Sequence, residues 1–342
     1  MNGHKSPVPP PGVWAPAITF FNPDTDELDL AAQTRYYKYL SQHLTGLVIL
    51  GTNAETFLLT REERAALLKC AREAVGEGYP IMAGVGGHST KQVLEFIQDA
   101  AEAKADYVLV LPCAYFGKAT TAKVITNFYD EVAAKSPLPI VIYKCAHPSP
   151  HQSTHECQQE NHTADQNPPS FPGVTNGIDL DSDLIASLAT AHPGKIVGVK
   201  LTCASVAKIT RLAASLPSTT FSIYGGQSDF LLGGLASGSA GCIAAFANVF
   251  PKTIKRIYEL WVEGKQGEAM KMHRVAALAE TVCKGGIAHT KFAAGSTSAR
   301  SAGVEGWEGL VGPRRPYEGL GEGEREKVRG RIGEMVKIED SL

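Results

Sequence analysis

The sequence predicts an α/β chain, a closed (β/α)8 TIM barrel with a C-terminal helical appendage. Two observations carry this expectation. Short runs rich in Val, Ile and Leu recur along the chain, and most are separated by a segment long enough for one helix. That is the pattern of parallel strands whose two faces are both buried. Beyond Pro251 the alternation stops and only helical patterning continues. A doubly wound open sheet is the competing architecture. It calls for a glycine-rich phosphate loop after the first strand, and Phe20-Phe21-Asn22-Pro23 is not one.

The strand candidates are residues 13–19, 47–50, 81–84, 107–111, 140–143, 196–200, 220–224 and 240–244. Thr60-Arg61-Glu62-Glu63 reads as a capping box opening the second helix, because the threonine oxygen and a glutamate carboxylate satisfy N–H groups that a helix start leaves unpaired. Ser89 or Thr90, with Gln92 or Glu95 behind it, opens the third. The expected organisation is a barrel over residues 1–250, including a polar insertion at 144–170. Residues 251–342 then form the last barrel helix and a helical region whose charged tail is a solvated helix.

Bulk properties narrow the function. The chain has 342 residues, 44% hydrophobic and 20% charged, enough for a large core in one unit. A net charge of -2 without a basic stripe argues against nucleic acid as a partner. No run of 18 apolar residues occurs, so no membrane span is expected. Residues 1–11 are polar and proline-rich, unlike a secretory signal or a transit peptide, and a cytoplasmic location is the expectation. Cys70, Cys113, Cys203 and Cys242 lie in apolar segments and read as reduced, mostly buried thiols.

The residue that carries most chemistry is Lys200, which ends the apolar run Ile196-Val197-Gly198-Val199-Lys200. The carboxyl end of a barrel strand is where such enzymes keep their reactive groups. Apolar surroundings disfavour the charged amine and so favour a nucleophile able to form a Schiff base with a keto acid. The plainer reading of this segment alone is a lysine that ends a strand and points to water. Gly51-Thr52-Asn53-Ala54-Glu55 follows the second strand, where Gly51 permits a tight turn and Thr52 and Asn53 offer donors suited to a carboxylate. Tyr143 ends the fifth strand and could move the protons of aldol cleavage. Tyr115 follows the fourth strand and either relays a proton or packs. Gly225 and Gly226 follow the seventh, where glycine lets backbone approach a ligand.

In order along the chain stand GTNAETFLLTREER at 51–64, LPCAYFGKA at 111–119, IVIY at 140–143, IVGVK at 196–200, YGGQSD at 224–229 and GCIAAFANVFP at 241–251. This set resembles the dihydrodipicolinate synthase/N-acetylneuraminate lyase family of class I Schiff-base aldolases, nearest to its fungal 2-keto-3-deoxy sugar acid aldolase branch. The resemblance implies that Lys200 forms the Schiff base with pyruvate or another 2-oxo acid. It implies that Tyr143 transfers protons with Thr52 in its relay, and that Asn53 binds the keto-acid carboxylate. It further implies that Tyr115 reaches a neighbouring subunit's site in a homotetramer, and that no metal or other cofactor is needed beyond the covalent Schiff base. Val174 stands where dihydrodipicolinate synthases have an arginine for the second substrate's carboxylate, and valine cannot make that contact. The expected reaction is therefore cleavage of a 2-keto-3-deoxy sugar acid, such as 2-keto-3-deoxy-L-galactonate, to pyruvate and an aldehyde. The alternatives are a 4-hydroxy-2-oxoglutarate aldolase, a dihydrodipicolinate synthase, a 2-keto-3-deoxy acid dehydratase and a non-catalytic barrel that binds keto acids.

Residues 144–170 interrupt that pattern directly after Tyr143. The stretch is polar, proline-rich and without periodicity, and holds Cys145, His147, His151, His155, Cys157 and His162. Its ligand spacing matches no standard metal finger. Excising it and leaving one residue before Phe171-Pro172 restores the family's spacing. The expectation is a translated intron, with a natural lid and a metal-binding loop as the alternatives.

Overall fold

The computed structural model describes residues 7–144 and 180–342. Eight parallel strands close into a barrel in chain order, each paired with its sequence neighbours and the eighth with the first. They are β1 (Gly12–Pro16), β2 (Gly46–Ile49), β3 (Ile81–Gly84), β4 (Tyr107–Val110), β5 (Ile140–Lys144), β6 (Ile196–Leu201), β7 (Ser222–Gly225) and β8 (Gly241–Ile243). The helices around them are α1 (Leu30–His43), α2 (Arg61–Val75), α3 (Thr90–Glu102), α4 (Ala122–Lys135), α5 (Ser182–Ala191), α6 (Val206–Ser215), α7 (Leu231–Ala236) and α8 (Pro251–Val262). The appendage adds α9 (Gln266–Ala279), α10 (Ile287–Ala294), α11 (Trp307–Leu310) and α12 (Glu322–Asp340). The closed barrel is the architecture the alternating pattern predicts.

Helix starts follow local chemistry. Thr60 and Glu63 form the reciprocal capping box of α2, and Ser89 accepts from the Gln92 N–H at the start of α3. At α8 no local side chain caps the first turn, although Pro251 suits the first helical position. Glu339 of α12 supplies the acceptors instead, taking the Lys252 N–H at 3.0 Å and the Thr253 N–H at 2.8 Å. The tail helix is therefore not simply solvated, as its charge suggested. Val328, Ile332, Met335 and Glu339 form a buried stripe along it.

Inside the barrel, Trp14, Val48, Met82, Val141, Val197 and Tyr224 belong to one buried lumen cluster. The amino-terminal mouth is stoppered by the segment before β1. Tyr107 Oη donates to the Val8 carbonyl at 2.9 Å, and Tyr224 Oη donates to the carbonyls of Pro9 and Pro10 at 2.9 and 2.7 Å. The stopper leaves the carboxyl ends of the strands as the face on which reactive side chains gather.

Candidate active site

The pairing of β5 with β6 decides where Lys200 points. Ile140 pairs with Ile196, but Val141 pairs with Gly198, so β6 carries Val197 as an extra residue. Val197 and Val141 both belong to the lumen, whereas Val199 and its partner Ile142 belong to the outer core. Strict alternation from Val197 would turn Lys200 outward. The bulge advances the phase by one, and Lys200 pairs with the lumen-facing Tyr143. Gly198 is needed here, because a Cβ on it would lie 2.6 Å from the Ser222 carbonyl oxygen of the next strand.

Lys200 and Tyr143 are brought together. The Lys200 Nζ lies 4.2 Å from the centroid of the Tyr143 ring, and the two residues are 4% and 5% exposed. This places an amine and a phenol at adjacent strand ends in a nearly dry site.

The loop after β2 is shaped differently from the sequence expectation. Gly51 has φ -73° and ψ -176°, ordinary extended backbone that any residue adopts. The left-handed residues are Leu50 at φ +63° and Glu55 at φ +57°, one on each side of a 3₁₀ turn over Thr52–Ala54. Thr52 Oγ1 is buried and has no hydrogen-bond partner among the described residues. Asn53 is half-buried beside it in the chain.

Gly226 follows β7 and donates its N–H to the Leu201 carbonyl at 2.8 Å. A Cβ there would meet Thr202 Oγ1 at 2.4 Å, and one on Gly225 would meet the Phe230 ring at 2.8 Å. Both glycines are thus required by close approach of protein, whatever else approaches them. Tyr115 is not drawn to the Lys200–Tyr143 pair within the chain. It is 73% exposed, and its ring neighbours are His88 at 5.7 Å and Phe116 at 5.1 Å, with Phe57 stacked on His88 at 5.6 Å.

Several groups near the mouth escaped the sequence reading. Thr202 has a buried Oγ1 with no partner among the described residues, and its spacing of two from Lys200 along an extended chain was the signal that could have found it. Glu280 is 2% exposed and takes the Ser228 N–H at 2.9 Å and the Ser228 hydroxyl at 2.6 Å. Burial pushes its carboxyl up to about 7, with Asp229 adding to the effect. Lys291 of α10 pairs with Glu55 at 2.8 Å in the core. These contacts join residues far apart in sequence, so no local pattern announces them.

Cys70 and Cys242 are buried, Cys113 and Cys203 half-buried, and all four are free thiols. Burial raises the Cys242 thiol far above its ordinary range, as expected of an inert core cysteine. Among the described residues no group of three or more His, Cys, Asp or Glu side chains could hold a metal ion, and no helix is long and apolar enough to cross a membrane. Lys144, expected to open the polar insertion, instead ends β5 and pairs with Leu201, whereas residues 145–170, with their six Cys and His residues, and Val174 lie outside the described residues.

A barrel with a buried lysine and a tyrosine paired at adjacent strand ends has the layout of a Schiff-base aldolase. The profile of the Dihydrodipicolinate synthetase family matches residues 9–154 and 170–334. The chain belongs to this family. It is 59% identical over 336 residues, 98% of both chains, to a protein of Coccidioides immitis (strain RS) called "Putative 4-hydroxy-2-oxoglutarate aldolase, mitochondrial". It is 32% identical over 360 residues, 97% of both chains, to the "L-threo-3-deoxy-hexylosonate aldolase" of Aspergillus niger. The crystal structure of a dihydrodipicolinate synthase family protein from Coccidioides immitis superposes with a TM-score of 0.85 at 56% identity, covering 98% of each chain.

Proposed function

We propose that the chain is a class I lyase that cleaves a 2-oxo acid to pyruvate and an aldehyde through a Schiff base on Lys200. The juxtaposition of Lys200 with Tyr143 carries this reading. The Lys200 amine adds to the C2 carbonyl, and loss of water gives an iminium. Tyr143 takes the C4 hydroxyl proton, with Thr52 in the relay. The electron pair of the C3–C4 bond flows to the iminium and the aldehyde departs. The resulting enamine is protonated at C3, and water hydrolyses the imine to release pyruvate and the free amine. Asn53 and the start of the 52–54 turn bind the substrate carboxylate, with Gly225 and Gly226 lining the other side. No metal or nucleotide is assigned to these steps, because the iminium serves as the electron sink.

For the substrate, 4-hydroxy-2-oxoglutarate replaces the sugar acid as the first reading. Its support is the name of the relative at 59% identity, set against 32% for the deoxy-hexylosonate aldolase. Cleavage would then yield pyruvate and glyoxylate. A 2-keto-3-deoxy sugar acid remains the second reading, supported by the lack of an arginine at Val174. The test is kcat/KM for pyruvate release from 4-hydroxy-2-oxoglutarate and from 2-keto-3-deoxy-L-galactonate, side by side. A preference for the sugar acid returns the first expectation, and no turnover of either favours a keto-acid-binding barrel.

Assembly as a homotetramer is part of the proposal. The exposed Phe57 and Tyr115 beside His88, with Phe116 against Tyr115, support a covering second copy. For the compartment, the cytoplasmic expectation competes with a mitochondrial one, supported by the name of the Coccidioides relative. Fractionation of cells producing the tagged chain separates the two.

A further inference from the structure

We propose that the buried Lys291–Glu55 pair is a positioning device for the reaction, by which the C-terminal appendage holds the 51–55 loop, with Thr52 and Asn53, in the shape that receives the substrate carboxylate. The inference rests on the function proposed above and adds residues that it does not use.

Both charges are out of water. The Lys291 side chain is 0% and the Glu55 side chain 4% exposed, with 2.8 Å between Nζ and Oε1. Each partner has a further hydrogen bond. Lys291 Nζ also donates to the Gly312 carbonyl at 2.6 Å, and Glu55 Oε2 accepts the Arg314 N–H at 2.7 Å. The Phe21 ring lies 4.6 Å from Nζ. Burial lowers the lysine's pKa and the Glu55 carboxylate works against that shift. A pair like this is weak evidence for stability, because a well-packed apolar pair often does as well. What it supplies is a fixed geometry.

The loop needs such fixing. Leu50 and Glu55, at either end of it, are non-glycine residues in the left-handed region. Such a residue is strained and persists only where its surroundings over-determine it. Thr52 and Asn53 stand between them. Thr19 Oγ1 holds the Ala54 carbonyl at 2.9 Å, and Lys291 with Arg314 holds the Glu55 carboxylate. Releasing that carboxylate frees the loop at its Glu55 end, two residues from Asn53 and three from Thr52. Lys291 is therefore a positioning residue that reaches the substrate through Glu55.

The test compares Lys291→Met, Lys291→Met/Glu55→Met and Glu339→Gln with wild type. Glu339→Gln loosens the appendage at α8, away from the loop. Two quantities are read: the thermal midpoint, and the pyruvate concentration that half-saturates borohydride trapping. Lys291→Met is expected to lower the midpoint and to raise half-saturation roughly tenfold or more, tenfold being 1.4 kcal/mol. The double variant, with no unpaired charge, is expected to regain midpoint while half-saturation stays raised. Glu339→Gln is expected to lose midpoint with half-saturation unchanged. Half-saturation at the wild-type value in the double variant overturns the positioning role, and that variant carries the test if the single one does not fold. A wild-type protein that traps no pyruvate at all overturns the function itself, and the positioning role with it.

Discussion

At the residue scale, the proposed chemistry separates into two steps that mutation can dissociate. Tyr143→Phe keeps the ring beside Lys200 but removes the proton carrier. It should still trap pyruvate, while turnover falls by roughly two to four orders of magnitude, and a near-normal rate would move proton transfer elsewhere. A second residue-scale expectation concerns pH. Glu280 is raised by burial from 4.5 to about 7, so the folded state binds more protons than the unfolded state between these values. Its contribution is intact below about pH 4.5 and is lost as pH rises through about 7, by about 3 kcal/mol at most. Asp229 and Lys284 face it, as do the Cys242 and Cys283 thiols, and His273 is bonded to the same Ser228 through its carbonyl. Urea midpoints for wild type and Glu280→Gln should therefore diverge with rising pH in favour of the variant, a comparison in which His273 cancels. Parallel profiles would contradict the assignment. The places of Lys200 and Tyr143 near strand ends, and of Thr52 just past one, could be read from sequence because each follows an apolar run. The assignment of the tight turn to Gly51 failed because backbone shape is set by packing, and here Leu50 and Glu55 take the strained conformations.

At the element scale, strands and helix starts were legible because their signals are local: apolar runs, and side chains that cap a first turn. The bulge on β6 was not. Ile196-Val197-Gly198-Val199-Lys200 reads as a buried strand in any register, and only pairing with β5 reveals the extra residue that turns Lys200 inward. Gly198→Val should open the β6–β7 pairing, because its Cβ would collide with backbone rather than with a side chain able to move. The expected loss is about 1–3 kcal/mol, the scale of overpacking, with reduced trapping at Lys200. Stability and trapping both unchanged would remove the bulge from the account. The tail helix α12 was misjudged for a related reason. Its charges are visible in sequence, but the contact of Glu339 with the start of α8 joins residues 87 positions apart.

At the scale of the whole molecule, barrel, stopper and appendage give the carboxyl-terminal mouth a dry floor and two loops tied to the appendage, one through Glu55 and one through Ser228. The aromatic cluster around Tyr115 belongs to this scale, since it has exposed faces to offer another copy. Tyr115→Ala should weaken the assembly and lower activity on dilution, read by sedimentation beside the assay, and a fully active monomer would dismiss both. The central claim is that Lys200 is the Schiff-base residue, and its most direct measurement is borohydride reduction in the presence of pyruvate followed by peptide mass spectrometry. The expected result is one carboxyethyl adduct, on the peptide containing Lys200, absent from Lys200→Ala. No adduct on the wild-type protein, or an undiminished adduct in that variant, would contradict it.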